Sequence, residues 1–182
     1  MFGKIICLRN GENLRLREAE KKDGKLVVDY LNEVGGESDN LSFGKNEFYL
    51  NAEREAIYIE SFRKDVNSLF ILAEINGELV AEGSLHSEKK KRMSHTATIG
   101  ITVRKKLWNK VIASIILREL IEFAKNTDVV SVISLEVRSD NVHAIHLYER
   151  AGFKKSGIYK DYMKIAESYY DVDLMELQLQ KR

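Results

Sequence analysis

Apolar and polar residues alternate at both ends of the chain and in its middle, and between these stretches the apolar positions recur at helical spacing. Near the start, "KIICL" and "NLRLREA" read as two short strands joined across "RNGE", an Asn-Gly hairpin signal. Leu26, Val27, Tyr30, Leu31 and Val34 then share one face of a helix. A glycine-rich loop, "VGGESDNLSFGKNEF", leads to Asn51, which can cap a second helix with apolar positions Ala52, Ala56, Ile59, Phe62 and Val66. Alternation returns in "LFILAEI", the Asn76-Gly77 turn, "ELVAEGSL", a basic tip and "SHTATIGITV", which predict a three-stranded antiparallel meander. From Asn109 to about Asn126 the period changes: Ile112, Ile115, Ile116, Leu120, Phe123 and Ala124 lie on one side, with Lys110, Ser114, Arg118, Glu122 and Lys125 on the other. "VISLEV" reads as a buried strand and "DNVHAIHLYERA" as a helix, capped by Asp140 or Asn141 and stopped at Gly152. "FKKSGIYKDYMKI" and "YYDVDLMELQL" close the chain as two strands. The order ββααβββαβαββ predicts an α/β fold, a mixed sheet with helices on its faces.

Composition narrows the class. A chain of 182 residues with 44% apolar content suits one core, and no linker, repeat or low-complexity tract divides it, so a single domain over 1–182 is expected. No apolar run approaches the roughly 18 to 20 residues of a membrane span, and "MFGKIICLRNGE" lacks the apolar core of a signal peptide. The expected location is the cytoplasm, with no membrane partner. Cys7 is the only cysteine, which excludes an internal disulfide and a Cys-rich metal site, and its pattern suits a core or edge-strand position. The net charge of +1 argues against a nucleic-acid partner, but its distribution is uneven. Lys89 to Arg118 holds nine basic and no acidic residues, enough to hold a small polyanion, whereas Glu33 to Glu60 carries a local net charge of −5 where a cationic substrate could approach.

The most specific signal is "NVHAIHLYERAGF", Asn141 to Phe153. It resembles the Asn-x-x-Ala-x-x-x-Tyr-x-x-x-Gly-Phe helix of the GNAT superfamily of acyl-CoA N-acyltransferases, and the strands "ITV" and "LEV" flank the intervening helix where that family has them. "RLREAEKKD" and "YYDVDLMEL" extend the resemblance towards both ends. It implies a GNAT-like fold, a mostly antiparallel central sheet with helices on both faces, and acetyl-CoA as co-substrate.

Aligned on that family, the phosphate loop Gln/Arg-x-x-Gly-x-Gly/Ala falls on Trp108, Asn109, Lys110, Val111, Ile112 and Ala113, followed by Ser114. Trp108 replaces Gln or Arg, Val111 replaces the first glycine, and there is no glycine between Gly100 and Gly152. A helix N-terminus offers its N–H groups and dipole without glycine, so valine is acceptable if the turn is already helical there. Lys110 in the first helical turn, with Arg104, Lys105 and Lys106, reads as a pyrophosphate and 3′-phosphate site. The resemblance further implies that main-chain groups of Ile101 to Val103, including Thr102, hold the pantetheine arm. It places Asn141 on that arm and makes Tyr148 the proton donor to the departing thiolate. For the general base Glu37, Glu82 and His95 are candidates, and relay through water is an open alternative.

His143 and His146 share a helical face without a third ligand nearby, so no metal is expected. Hydrolase elbows, dinucleotide fingerprints and Walker loops are absent from the sequence. The reading is an N-acetyltransferase acting on a primary amine of a small molecule, or of a protein N-terminus, by direct attack in a ternary complex. The alternatives are a CoA-binding sensor or partner module without turnover, and a basic-patch nucleic-acid protein. Homodimers are frequent among such proteins, which leaves one as an open expectation here.

Overall fold

The alternating segments form strands because each buries one row of apolar side chains. In the computed structural model, which describes residues 3–179, β1 (Gly3–Cys7) and β2 (Asn13–Glu18) pair antiparallel around the turn holding Gly11 at φ 83°. The ends of the expected 1–182 domain, residues 1–2 and 180–182, lie outside the described residues. α1 (Gly24–Gly35) and α2 (Ala52–Arg63) follow, then the meander β3 (Leu69–Ile75), β4 (Glu78–Ser87) and β5 (Thr96–Val103). α3 (Ile112–Lys125), β6 (Val132–Arg138), α4 (Val142–Arg150), β7 (Lys154–Ile165) and β8 (Ser168–Gln178) complete the order. The eight strands make one sheet, β1-β2-β3-β4-β5-β6-β8-β7, antiparallel at every step except β5–β6.

Each face of this sheet carries its own core. α3 and α4 cover one face, where Ile112, Ile116, Leu117 and Leu120 pack against Leu14, Leu16, Ile71, Ala81 and Leu85. α3 lies so close to β4 that a Cβ on Gly83 would fall 2.3 Å from Ile116 Cγ2, so only glycine fits at this crossing. On the other face α1 and α2 bury Val27, Tyr30, Val34, Ile59 and Phe62 against Phe70, Leu72 and Leu79. No described helix is long and apolar enough to cross a membrane.

Three local expectations are corrected. α2 ends at Arg63 and Val66 is 85% exposed, since the chain turns at Lys64 before reaching it. α3 begins at Ile112, not Asn109, because Asn109 and Val111 both take positive φ, at 62° and 60°. Leu26 is exposed on α1, leaving Val27, Tyr30, Leu31 and Val34 as its inward face. Cys7 takes the second of its two alternatives, exposed on edge strand β1.

Candidate active site

Strands β5 and β6 begin as parallel neighbours and then part. Only Thr96 to Thr98 pair with Val132 to Ser134; beyond them, Ile99 to Val103 keep their partner β4 on one edge and have no strand on the other. A strand edge with unpaired N–H and C=O groups is a template for an extended, amide-bearing ligand. The opening leads into a cleft of about 1030 Å³ that Ile101, Thr102, Val103, Asn141 and Tyr148 line together.

At one end of this cleft the basic turn meets α3. Trp108, Asn109, Lys110, Val111, Ile112, Ala113 and Ser114 all line it, so the structure brings the sequence-derived loop residues together. The N-cap of α3 is Val111, whose side chain has no oxygen to cap with, and no acidic residue occupies the first turn. The leading N–H groups and the positive end of the helix dipole therefore point toward the opening with no side-chain cap.

Two features of the expected loop are corrected. Val111 is left-handed (φ 60°, ψ −3°), so the turn is not helical there; this is a conformation that glycine adopts freely and a β-branched residue resists. Lys110 precedes the cap instead of sitting in the first turn, so it carries no penalty from a position inside the helix. The basic cluster is also smaller than its sequence suggests. Arg104 is paired with Glu33 and Glu37 and lies over the Tyr30 ring, and Lys106 is paired with Glu78 at 2.7 Å. Lys110 remains on the cleft wall, while Lys105 lines the adjoining hollow beside Glu37, its ammonium 5.9 Å from the centre of the Trp108 ring. Trp108 donates its indole N–H to the Val103 carbonyl at 2.9 Å, which ties the turn to the end of β5 and occupies a carbonyl expected to face the ligand.

On the other face of the sheet the cleft is built from α1, α2 and the polar face of β4 and β5. Glu82 on β4 stands opposite Thr102 in register; Thr102 Oγ1 lies 3.1 Å from Glu82 Oε1 and 3.0 Å from the Tyr30 hydroxyl. Glu82 is buried, and desolvation pushes its carboxyl up to about 8 despite the Thr102 hydrogen bond, with the Glu55 charge adding to the rise. Glu55 on α2 is 1% exposed, burial alone raises it to about 7, and its Oε2 has no hydrogen-bond partner. Sequence reasoning missed Glu55. Its only local sign is its position one turn before Tyr58 and Ile59 on the inward side of a weakly amphipathic helix.

Tyr148 is buried on the α3 and α4 face, edge-to-face with Phe153, and burial pushes its phenol up to about 12. Asn141 caps α4, accepting from Ala144 N at 3.3 Å, while lining the cleft. Glu37 has both oxygens engaged: Oε1 with Arg104 at 3.3 Å, and Oε2 accepting from Lys105 N at 2.6 Å. It thereby caps the short turn Lys105–Leu107. His95 lies before the other end of β5, seven residues or roughly 23 Å of strand from Thr102, where its carbonyl accepts from Ser131 and Val132, and it does not line the cleft. Among the described residues no group of three or more His, Cys, Asp or Glu could hold a metal ion.

An open helix N-terminus beside a strand with free main-chain groups at Ile101 to Val103 is the arrangement the acyltransferase resemblance implied. Residues 39–153 match the model of the Acetyltransferase (GNAT) family. The chain belongs to this family. Among GNAT relatives, an L-amino acid N-acetyltransferase of Escherichia coli (strain K12) is 34% identical over 105 residues, 58% of this chain. The matched stretch spans 65% of that relative's length, short of two thirds. A GNAT-family acetyltransferase structure from Streptococcus pneumoniae superimposes with a TM-score of 0.87 at 30% identity, covering 92% of this chain and 99% of that one. A putative acetyltransferase from Salmonella typhimurium, solved with its cofactor acetyl-CoA, shares the GNAT fold at a TM-score of 0.80 and 18% identity, over 93% and 96% of the two chains.

Proposed function

We propose that the protein is an N-acetyltransferase that moves an acetyl group from acetyl-CoA to the primary amine of a small molecule. The observation that carries this reading is the placement of a buried carboxyl, Glu82, and a buried phenol, Tyr148, on the walls of one cleft that opens along the unpaired edge of β5. Bound there, acetyl-CoA supplies a thioester whose carbonyl carbon accepts the amine. The first-turn N–H groups of α3, with Lys110 on the same wall, suit its phosphates. The exposed edge of Ile101 to Val103 suits its amide-bearing arm, and main-chain N–H groups there suit the oxygen that gains charge. Asn141 borders the same opening and fixes the start of α4, which carries Tyr148.

Amine attack needs a base and the departing sulfur needs an acid. Glu82 is the base in this reading. It faces the acceptor end, Thr102 orients it, and a carboxyl raised to about 8 accepts a proton from an ammonium far better than an exposed one. Glu37 is spoken for by Arg104 and the Lys105 N–H, and His95 is remote, so neither takes that role. Tyr148, held well above neutral pH, keeps its proton until the sulfur leaves.

The test is acetyl-CoA-dependent thiol release over a panel of primary amines. Wild-type kcat/KM should rise with pH through about 8, following Glu82. Glu82→Gln should lower it by on the order of 10²- to 10⁴-fold, with Tyr148→Phe lowering kcat in the folded protein. Thiol release from no amine, or an unimpaired Glu82→Gln enzyme, overturns the assignment.

A further inference from the structure

The acceptor end of the cleft holds an unusual charge balance. Its walls present Glu55, Glu82 and Glu136. The one guanidinium there, Arg138, is already engaged: Nε donates to Asp140 at 2.8 Å, Nη1 to the Asp39 carbonyl at 2.7 Å, and the group lies 4.0 Å from the centre of the Tyr170 ring. The other fixed cations on the cleft, Lys110 and Arg150, sit on the phosphate turn and on α4. An acceptor bearing a carboxylate would meet only like charge and a guanidinium already paired.

Glu55 sharpens the point. A buried carboxyl without a hydrogen-bond partner for Oε2 is costly, and in a folded protein such a group is normally satisfied by a neighbour, water or a ligand. Among the described residues burial is the cause behind its raised carboxyl, and no cation opposes it. Tyr58 lies close enough to feel the Glu55 charge, and Phe70, with Phe43, Phe48 and Tyr49 from the loop between α1 and α2, adds aromatic faces to the walls of the same cleft. Aromatic faces beside a carboxylate are the chemistry that receives an alkylammonium group.

We propose that the acceptor is a diamine or longer polyamine, one nitrogen presented to Glu82 for acylation and a second ammonium held by Glu55 against the aromatic wall. This names the substrate class of the acyltransferase reading and rests on it. In the transfer the attacking nitrogen first gives its ammonium proton to Glu82 and thence to solvent; the new C–N bond then replaces the C–S bond, the nitrogen's second proton passes to Glu82, and the thiolate takes its proton from Tyr148, which recovers one from solvent, while the second ammonium stays unchanged on Glu55.

The experiment compares 1,5-diaminopentane, pentylamine and 5-aminopentanoate as acceptors at saturating acetyl-CoA. The diamine should exceed pentylamine in kcat/KM by roughly tenfold or more, as expected of one charge-assisted contact, with 5-aminopentanoate the poorest. Glu55→Gln should bring the diamine-to-pentylamine ratio close to unity, mainly through KM for the diamine. Equal or better use of 5-aminopentanoate overturns the proposal, as does a ratio unmoved by Glu55→Gln. The wild-type comparison stands even if that variant does not fold. If none of the three amines is acetylated, calorimetric titration of 1,5-diaminopentane and pentylamine into the CoA-saturated protein separates the two readings. Tighter diamine binding that Glu55→Gln abolishes supports the carboxyl site while the acyltransferase reading fails, and equal binding of both amines overturns the site as well.

Discussion

Val111 stands where the family's phosphate loop has its first glycine, and it adopts the left-handed conformation that glycine would take there. A β-branched residue in that region carries about 1–3 kcal/mol of strain. Glycine would release it while adding about 0.5–1 kcal/mol of unfolded-state freedom, and little burial is lost because the valine is half exposed. Val111→Gly should therefore melt no lower than the wild type and bind acetyl-CoA more tightly, as thermal-shift titration would show; a lower melting point would mean that the turn holds the valine without strain. The sequence gives no local sign of this conformation, because helical periodicity runs unbroken through Asn109 to Ala113 and valine argues against positive φ. The fate of Glu37 is equally illegible, since its partner Arg104 lies 67 residues away. Asn141 and Tyr148 were legible through the resemblance carried by the Asn141–Phe153 motif, and the structure makes them a helix cap and an inward aromatic on one short helix. Glu55 could not: in "AEREAIYIESFR" a glutamate among so many polar residues reads as solvent-facing, and only packing of α2 against β3 buries it.

Elements were far more legible than the contacts between them. Period-2 and helical patterns marked every strand and helix, but nothing in them stated that β8 would lie between β6 and β7. In retrospect burial decides it: β8 buries Val172, Asp173 and Met175, whereas the lysine-rich β7 stays largely exposed and takes the edge. The seating of α3 on β4 is the contact most open to test. Gly83→Ala would drive a methyl into Ile116 on the underside of the helix whose N-terminus faces the cleft. Overpacking of this kind costs about 1–3 kcal/mol, so the midpoint of urea unfolding should fall, and acetyl-CoA affinity should weaken as α3 shifts. An unchanged midpoint would show that α3 can tilt away freely.

Across the whole molecule, the two buried carboxyls set a pH dependence of stability. Glu55 and Glu82 are raised from an ordinary 4.5 to about 7 and about 8, so burial favours their protonated forms. Their contribution is complete below about 4.5 and is lost as pH climbs through those higher values. The ligand-free protein should melt progressively lower between pH 5 and roughly 9, and Glu55→Gln should flatten that decline; a profile flat in the wild type would count against an unpaired Glu55. Asp23, Asp65 and Asp173 are shifted downward instead, so their contribution is lost only in acid, below the ordinary 3.8, and leaves the neutral window to the two glutamates.

The parting of β5 from β6 has a different consequence. The edge it exposes is made of peptide groups, which every residue supplies alike, so side-chain replacement along Ile99 to Val103 alters little of what that edge can bind. The part of the cleft that holds Glu55 and Glu82 is made of side chains from α2, the loop before it and β4, each replaceable one at a time. In the proposed acyltransferase the arm of the donor would thus be read mostly by backbone and the acceptor by side chains. On that proposal a few substitutions around Glu55 would suffice to change the amine substrate, while a change of acyl carrier would require rebuilding the sheet.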